Sequence, residues 1–257
     1  AGQLTAASVL ATANGTGGSG SGGTGGVGAG GEVGALLTVR FETTDPAAVA
    51  IGTLTGTSTG TGGAGTTAGA NQYGRAYLEV VGSDATFADV NFTVLGDTPR
   101  LDPVGDPPVP TPVAPSLVSV DGGTLTVTNP NTLQLNTDGD LAIEARNGGA
   151  VQTVNLVASS GGNTVIRVDN GVIASSGNAT IVADGNLDVQ GVGSGRLEAA
   201  GTLQMDSGGN FTVTHISAPA GADTVRANFI DFTSVGDFSA DAGSRISGLN
   251  SIDIASS

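Results

Sequence analysis

One short pattern recurs along residues 121–257 and restricts what the chain can become. A Gly is followed by Asp or Asn, then by two residues, then by a small or branched apolar residue. It reads GDLAI at 139–143, GNTVI at 162–166, GNATI at 177–181, GNLDV at 185–189, GNFTV at 209–213 and GDFSA at 236–240. In four of the six the third residue is also apolar: Leu141, Leu187, Phe211 and Phe238. Apolar residues two apart share one face of a strand. Gly, Asn and Asp tolerate positive φ, so the pair supplies a bend ahead of each strand. Gly139, Gly185, Gly209 and Gly236 are therefore expected in turns, several of them with positive φ. A turn and a short strand repeated this often, with no helical period between, is the signature of a solenoid.

Composition supports that reading. Glycine accounts for 44 of 257 residues, which leaves disorder or a turn-rich all-β repeat. Alternating Val, Ile, Leu and Thr runs favour the repeat. There is no Trp and there are two Tyr, so the core must be filled by small and branched side chains. The absence of Cys excludes a disulfide framework and a thiolate metal site. All eight basic residues are Arg, and Asp outnumbers Glu by 18 to 5, as expected of acids placed in turns. The net charge of −15 opposes binding to nucleic acid and to anionic membranes. No apolar run approaches the roughly 18 residues of a membrane helix. No signal peptide is visible, and the strand-like opening at Gly2–Thr5 reads as a piece of a longer protein.

Three stretches follow. Residues 1–98 read as β-solenoid turns with Gly-rich excursions. Gly2-Gln3-Leu4-Thr5-Ala6-Ala7-Ser8 matches Gly52-Thr53-Leu54-Thr55-Gly56-Thr57-Ser58, and each copy enters a glycine run, 14–31 and 56–74. These runs are expected to be disordered; a small β-sandwich is the alternative for this half. Residues 99–116 form a Pro-rich linker or loop with seven of the ten prolines. Residues 117–257 read as the regular β-solenoid. The fold expected is all-β, a parallel β-helix with long Gly-rich and Pro-rich loop excursions. Ten residues are expected to point inward and stack between coils: Leu141, Ile143, Ile166, Ile181, Leu187, Val189, Leu203, Phe211, Val213 and Phe238.

Little in the chain reads as chemistry. The single histidine, His215, has no second His or Cys to share a metal and no nucleophile elbow beside it, so it reads as a strand residue. Parallel β-helices include enzymes that cleave polysaccharides with clustered carboxylates and Arg. The candidates here are Asp169, Asp188, Asp206, Asp231 and Glu198, with Arg167, Arg196 and Arg226, but their spacing follows the turns. The calcium-binding nonapeptide of β-rolls is absent, and Glu32 is the only acid in Gly22–Gly34. No catalytic, cofactor-binding or metal-binding residues are assigned, and no cofactor is expected.

With the Gly-[Asp/Asn]-apolar repeats in view, residues 117–257 resemble the filamentous-haemagglutinin type of large bacterial exoprotein. The glycine excursions at 14–31 and 56–74 look like those of giant members of that group. The resemblance implies a right-handed parallel β-helix, export to the cell surface, and service as an adhesin, stalk or matrix component. It brings no catalytic motif. The function expected is thus a structural or adhesive segment of a secreted or cell-surface bacterial β-solenoid, extracellular, filament-forming and not an enzyme. The partners expected are further copies joined head to tail and a surface polysaccharide or host cell surface, with no nucleic acid and no membrane insertion. The alternative is a polysaccharide-binding or polysaccharide-cleaving parallel β-helix, marked by a groove on which three or more acids and an Arg converge.

Overall fold

The structure is a computed structural model that describes residues 3–19, 28–29, 32–38, 48–64, 67–104, 109–112, 114–128 and 132–257. Among the described residues there is no helix. The strands are β1 (Gln3–Thr16), β2 (Gly28–Ala29), β3 (Glu32–Thr38), β4 (Ala48–Thr61), β5 (Asn71–Tyr73), β6 (Arg75–Val81) and β7 (Asp84–Leu95). The proline-rich segment holds β8 (Thr98–Pro99), β9 (Leu101–Val104) and β10 (Val109–Pro112). Next come β11 (Ser116–Asp121), β12 (Thr124–Val127) and β13 (Thr132–Thr137), then β14 (Leu141–Arg146), β15 (Ala150–Thr153) and β16 (Asn155–Ser160). They are followed by β17 (Thr164–Asp169), β18 (Val172–Ser175) and β19 (Ala179–Ala183), then β20 (Leu187–Val192) and β21 (Arg196–Ser207). The last are β22 (Phe211–Ile216), β23 (Val225–Ser234), β24 (Phe238–Ala240) and β25 (Ile246–Ser256).

Two long sheets organise the chain. One runs β3-β6-β11-β14-β17-β20-β22-β24. The other is wide at both ends and divided in the middle. β1, β4 and β7 are single long strands; β7 then carries β12 and β13 side by side, and β21 rejoins the two columns before β23 and β25. Every pairing in both sheets is parallel, and each strand pairs with its counterpart one coil later. The pattern fits a parallel β-helix or solenoid. Among the described residues only β9 and β10 pair antiparallel, so the chain after Pro99 pairs with itself instead of running as a plain extended spacer, before Leu117 returns to register with Tyr77.

The alternation of two explains the core. β17 buries Thr164, Ile166 and Val168 and leaves their neighbours half-exposed, and β19 and β20 repeat the pattern. Parallel register stacks these residues in columns: Ile143, Ile166, Val189 and Val213 in one, and Leu135, Ala158, Ile181, Met205 and Phe232 in another. Nine of the ten residues expected inside are buried. The tenth, Phe238, is half-buried on the last coil, where its ring lies 5.3 Å from Phe211, itself 4.9 Å from Phe232. Fully burying one such side chain contributes about 1.5–3 kcal/mol.

The glycine turns are present, but for a different reason from the one expected. Gly139, Gly185, Gly209 and Gly236 all lie in bends, yet none has positive φ. Gly185, Gly209 and Gly236 provide space for a ladder of side chains, whereas a Cβ on Gly139 would meet the Tyr73 ring at 2.5 Å. Asp140, Asn163, Asn186 and Asn210 each accept a hydrogen bond on Oδ1 from the backbone N–H of the residue one coil on, Asn163, Asn186, Asn210 and Asp237, at 2.7, 2.9, 2.9 and 3.0 Å. Each of these oxygens, the Asp140 carboxylate and the three asparagine amides, lies over the glycine of the next coil, Gly162, Gly185, Gly209 and Gly236 in turn. A Cβ on Gly185 would sit 2.7 Å from Asn163 Oδ1, and one on Gly209 would sit 2.5 Å from Asn186 Oδ1. The GNATI copy belongs elsewhere: Asn178 is the middle rung of a second ladder at the bend of the divided sheet, from Asn155 to Thr202.

Positive φ is concentrated at the opposite corner, where strands of the first sheet hand over to the second. Gly82, Gly122, Asn147, Asn170, Gly193 and Ser217 occupy it in successive coils. Their chain is tied upward by backbone bonds such as Gly122 N–H to Arg146 O and Asn170 N–H to Val192 O, both 3.0 Å.

Two further expectations are corrected in the N-terminal half. Parts of the glycine runs are extended strand, 14–16 in β1, 28–29 in β2, 56–61 in β4 and 71–73 in β5, while 17–19, 62–64 and 68–70 carry no regular structure; residues 20–27, 30–31 and 65–66 lie outside the described residues. Glycine lets these backbones touch, for a Cβ on Gly52 would strike the Ala7 carbonyl and one on Gly63 the Gly18 carbonyl. The sequence match of Leu4 with Leu54 is not the structural one. Leu4 pairs with Val49, and Val9 with Leu54, because the stacking register and not the motif sets the pairing.

Candidate functional site

A groove of about 720 Å³ runs along the outside of the divided sheet, in the angle where its two columns meet. Its long row is built by register: Thr126, Gln152, Ala174, Glu198 and Arg226 occupy equivalent outward positions on β12, β15, β18, β21 and β23. The outward parity follows from the inward parity of Leu125, Val151, Ile173, Leu197 and Val225, which are all buried. Val154, Ser176, Ala200 and Asn228 form the opposite wall at the bend, and Leu249 closes one end. Arg196 Nε donates to Glu198 Oε2 at 2.9 Å.

Of the eight charged candidates, the structure gathers three here: Arg196, Glu198 and Arg226. The others are spread over the surface. Asp169 sits beside the left-handed corner and accepts from Asn170 Nδ2 at 2.9 Å. Asp188 accepts from Gln190 Nε2 at 2.6 Å and from the Thr212 hydroxyl. Asp206 accepts from Gln204 Nε2 at 2.8 Å. Asp231 is in register with Gln204 and Asp253, and Arg167 with Glu144 and Gln190. Glu198 is thus the one acid in the groove lining. Among the described residues no three acids or histidines lie close enough to share a metal ion. Thr126 and Gln152 were not among the sequence candidates; the coil-to-coil offset of 26, 22 and 24 residues from 126 to 152, 174 and 198 is too irregular to align them by eye.

His215 is a strand residue as expected, and its side chain faces inward. It is buried, with Nδ1 2.7 Å from the Thr224 hydroxyl and Nε2 2.9 Å from the Gly193 carbonyl. The carbonyl can only accept, so Nε2 carries a proton and donates it to Gly193. Gly191, its register partner one coil earlier, leaves room for the ring: a Cβ there would meet Nδ1 at 3.1 Å. The carboxylate of Asp241 receives the His215 backbone N–H, at 3.1 Å to Oδ2. The hydrogen bond from Ser244, followed by those from backbone N–H groups, holds the Asp241 carboxyl below its usual range. Replacing Thr224 by Val keeps the shape and strands Nδ1. The expected loss of stability is about 1–3 kcal/mol in chemical denaturation, and an unchanged midpoint would show that the bond contributes nothing.

No family model matches the chain, and neither does any curated protein or solved structure.

Proposed function

We propose that this chain is a structural or adhesive segment of a secreted or cell-surface bacterial protein, a right-handed parallel β-helix of the filamentous-haemagglutinin type. The observation that carries the reading is the parallel stacking of strand on strand, coil after coil, with register shifts at Ala199–Thr202 and Ala227–Phe229. From β1 to β25 the wide sheet is nine strands deep, and stacked columns and asparagine ladders carry on from coil to coil. Such a stack is a spacer whose length grows by coil and whose surface is set by short polar side chains. The right-handed sense rests on the strong preference of parallel crossover connections. The reading assigns no catalytic step, no nucleic acid partner and no membrane insertion, and it places the protein outside the cell, where it meets a surface polysaccharide or another cell.

Self-association belongs to the same reading. Among the described residues β1 pairs with β4 alone and β25 with β23 alone, and the proposed contact joins the second edges of these two strands through their backbone N–H and C=O groups. On β25, Ile252 and Ile254 continue the inward columns of Ile230 and Phe232 and are 47% and 40% exposed. Joining the β25 edge of one copy to the β1 edge of the next sets Ile252 over Val9 and Ile254 over Ala11 and is a heterologous contact, which does not close. The charge of −15 opposes it until salt screens it. Sedimentation is expected to show chains that lengthen with salt, and electron microscopy rods growing by roughly 43 Å per copy, nine coils at about 4.8 Å each. A clean monomer at high concentration and high salt would refute head-to-tail assembly.

A further inference from the structure

We propose that the groove on the divided sheet binds a linear oligosaccharide carrying a single carboxylate, with Arg226 as the anchor. The lining holds two arginines and one glutamate, a local charge of +2 − 1 = +1 on a chain of net −15. Glu198 is the register neighbour of Arg226, but its Oε2 is taken by Arg196. Arg226 is exposed and, among the described residues, has neither a hydrogen-bond nor an ion-pair partner. A free guanidinium accepts one carboxylate through two parallel N–H bonds. A polyanion is disfavoured, because its further charges would face the net negative chain with screening only beyond about 8 Å.

The remainder of the lining suits sugar hydroxyls. Thr126, Gln152 and Glu198 present a hydroxyl, an amide and a carboxylate along one row, with the small Ala174 between. The coil repeat of roughly 4.8 Å is close to the length of one pyranose ring along a 1,4-linked chain. Four steps from Thr126 to Arg226 span roughly 19 Å, room for about four sugars. A peptide fits less well. An extended peptide gains affinity by joining a sheet edge, and β12, β15, β18, β21 and β23 are each already paired on both sides. With no aromatic platform in the lining, binding rests on the carboxylate and the hydroxyls.

The test is an NMR titration of the whole chain at about 0.15 M salt with three probes: xylotetraose bearing one glucuronate, neutral xylopentaose, and a blocked pentapeptide with one glutamate. The acidic sugar is expected to bind about tenfold or more tightly than its neutral counterpart, and R226Q to remove that difference. A174W, which fills the groove floor, is expected to abolish binding of both sugars. The proposal is overturned by equal binding of the neutral sugar, by a folded R226Q that binds as wild type, or by a peptide that binds as tightly as the acidic sugar. Should R226Q fail to fold, A174W decides: undiminished binding with the floor filled overturns it. The proposal goes beyond the stalk reading, which sedimentation tests separately, so either can fail alone.

Discussion

Replacing Leu187 by Asp is expected to abolish the folded state of the coils around it. Leu187 is fully buried, between Thr164 of the coil before and Phe211 of the coil after. No basic side chain faces inward in that column to pair with a carboxylate. A buried unpaired charge destabilises by about 3–5 kcal/mol, on top of the about 2–5 kcal/mol lost when Leu is truncated in a core. A typical domain has only about 5–15 kcal/mol to lose. A solenoid also spreads damage unevenly, because each coil touches only its neighbours. L187D should therefore expose β20 to β25 to protease, while the coils before β14 stay protected. Asp188, the next residue, faces outward, so Asp188→Ala is the matched control and should leave the pattern unchanged. If L187D unfolds at the wild-type midpoint, the stacking register described for β20 is wrong.

That contrast between adjacent residues also explains how much was legible in the sequence. Apolar residues two apart mark a strand face whichever coil they lie in, so Ile143, Ile166 and Val189 could be placed inside from their spacing alone. No copy of the Gly-[Asp/Asn] motif marks β15 or β18. Each follows an Asn-Gly step, Asn147-Gly148 and Asn170-Gly171, and holds only two inward residues, too few to show a period. The groove was invisible for a related reason. Glu198 and Arg226 are 28 residues apart and Gln152 and Glu198 are 46 apart, and only the coil offsets bring them to one row. His215 was placed on its strand correctly, but nothing local told that Gly191 and Thr224 would house its ring. The glycines were read for their dihedral freedom, and the positions that use it, such as Gly122 and Gly193, lie at the other corner.

The role found for the repeat glycines gives a second result with a definite sign. At an ordinary φ, Gly→Ala stabilises by about 0.4–1 kcal/mol, because it restricts the unfolded chain. At Gly209 the sign should reverse. Its added Cβ would meet Asn186 Oδ1 at 2.5 Å and the Gly185 carbonyl at 3.2 Å, and overpacking of this kind costs about 1–3 kcal/mol. The first obstacle can be removed. Asn186→Ala deletes the amide oxygen that receives the Asn210 N–H at 2.9 Å, and by itself should cost about 0.5–1.5 kcal/mol. In the double variant the Cβ has lost its closest neighbour, so the two losses should not add: the pair should be less damaged than the sum by about 1 kcal/mol or more. The carbonyl at 3.2 Å remains, so the rescue is partial. Chemical denaturation of the four proteins reads the coupling directly. Additive losses, or a stabilising Gly209→Ala, would mean that glycine is not there to clear the path of the asparagine ladder.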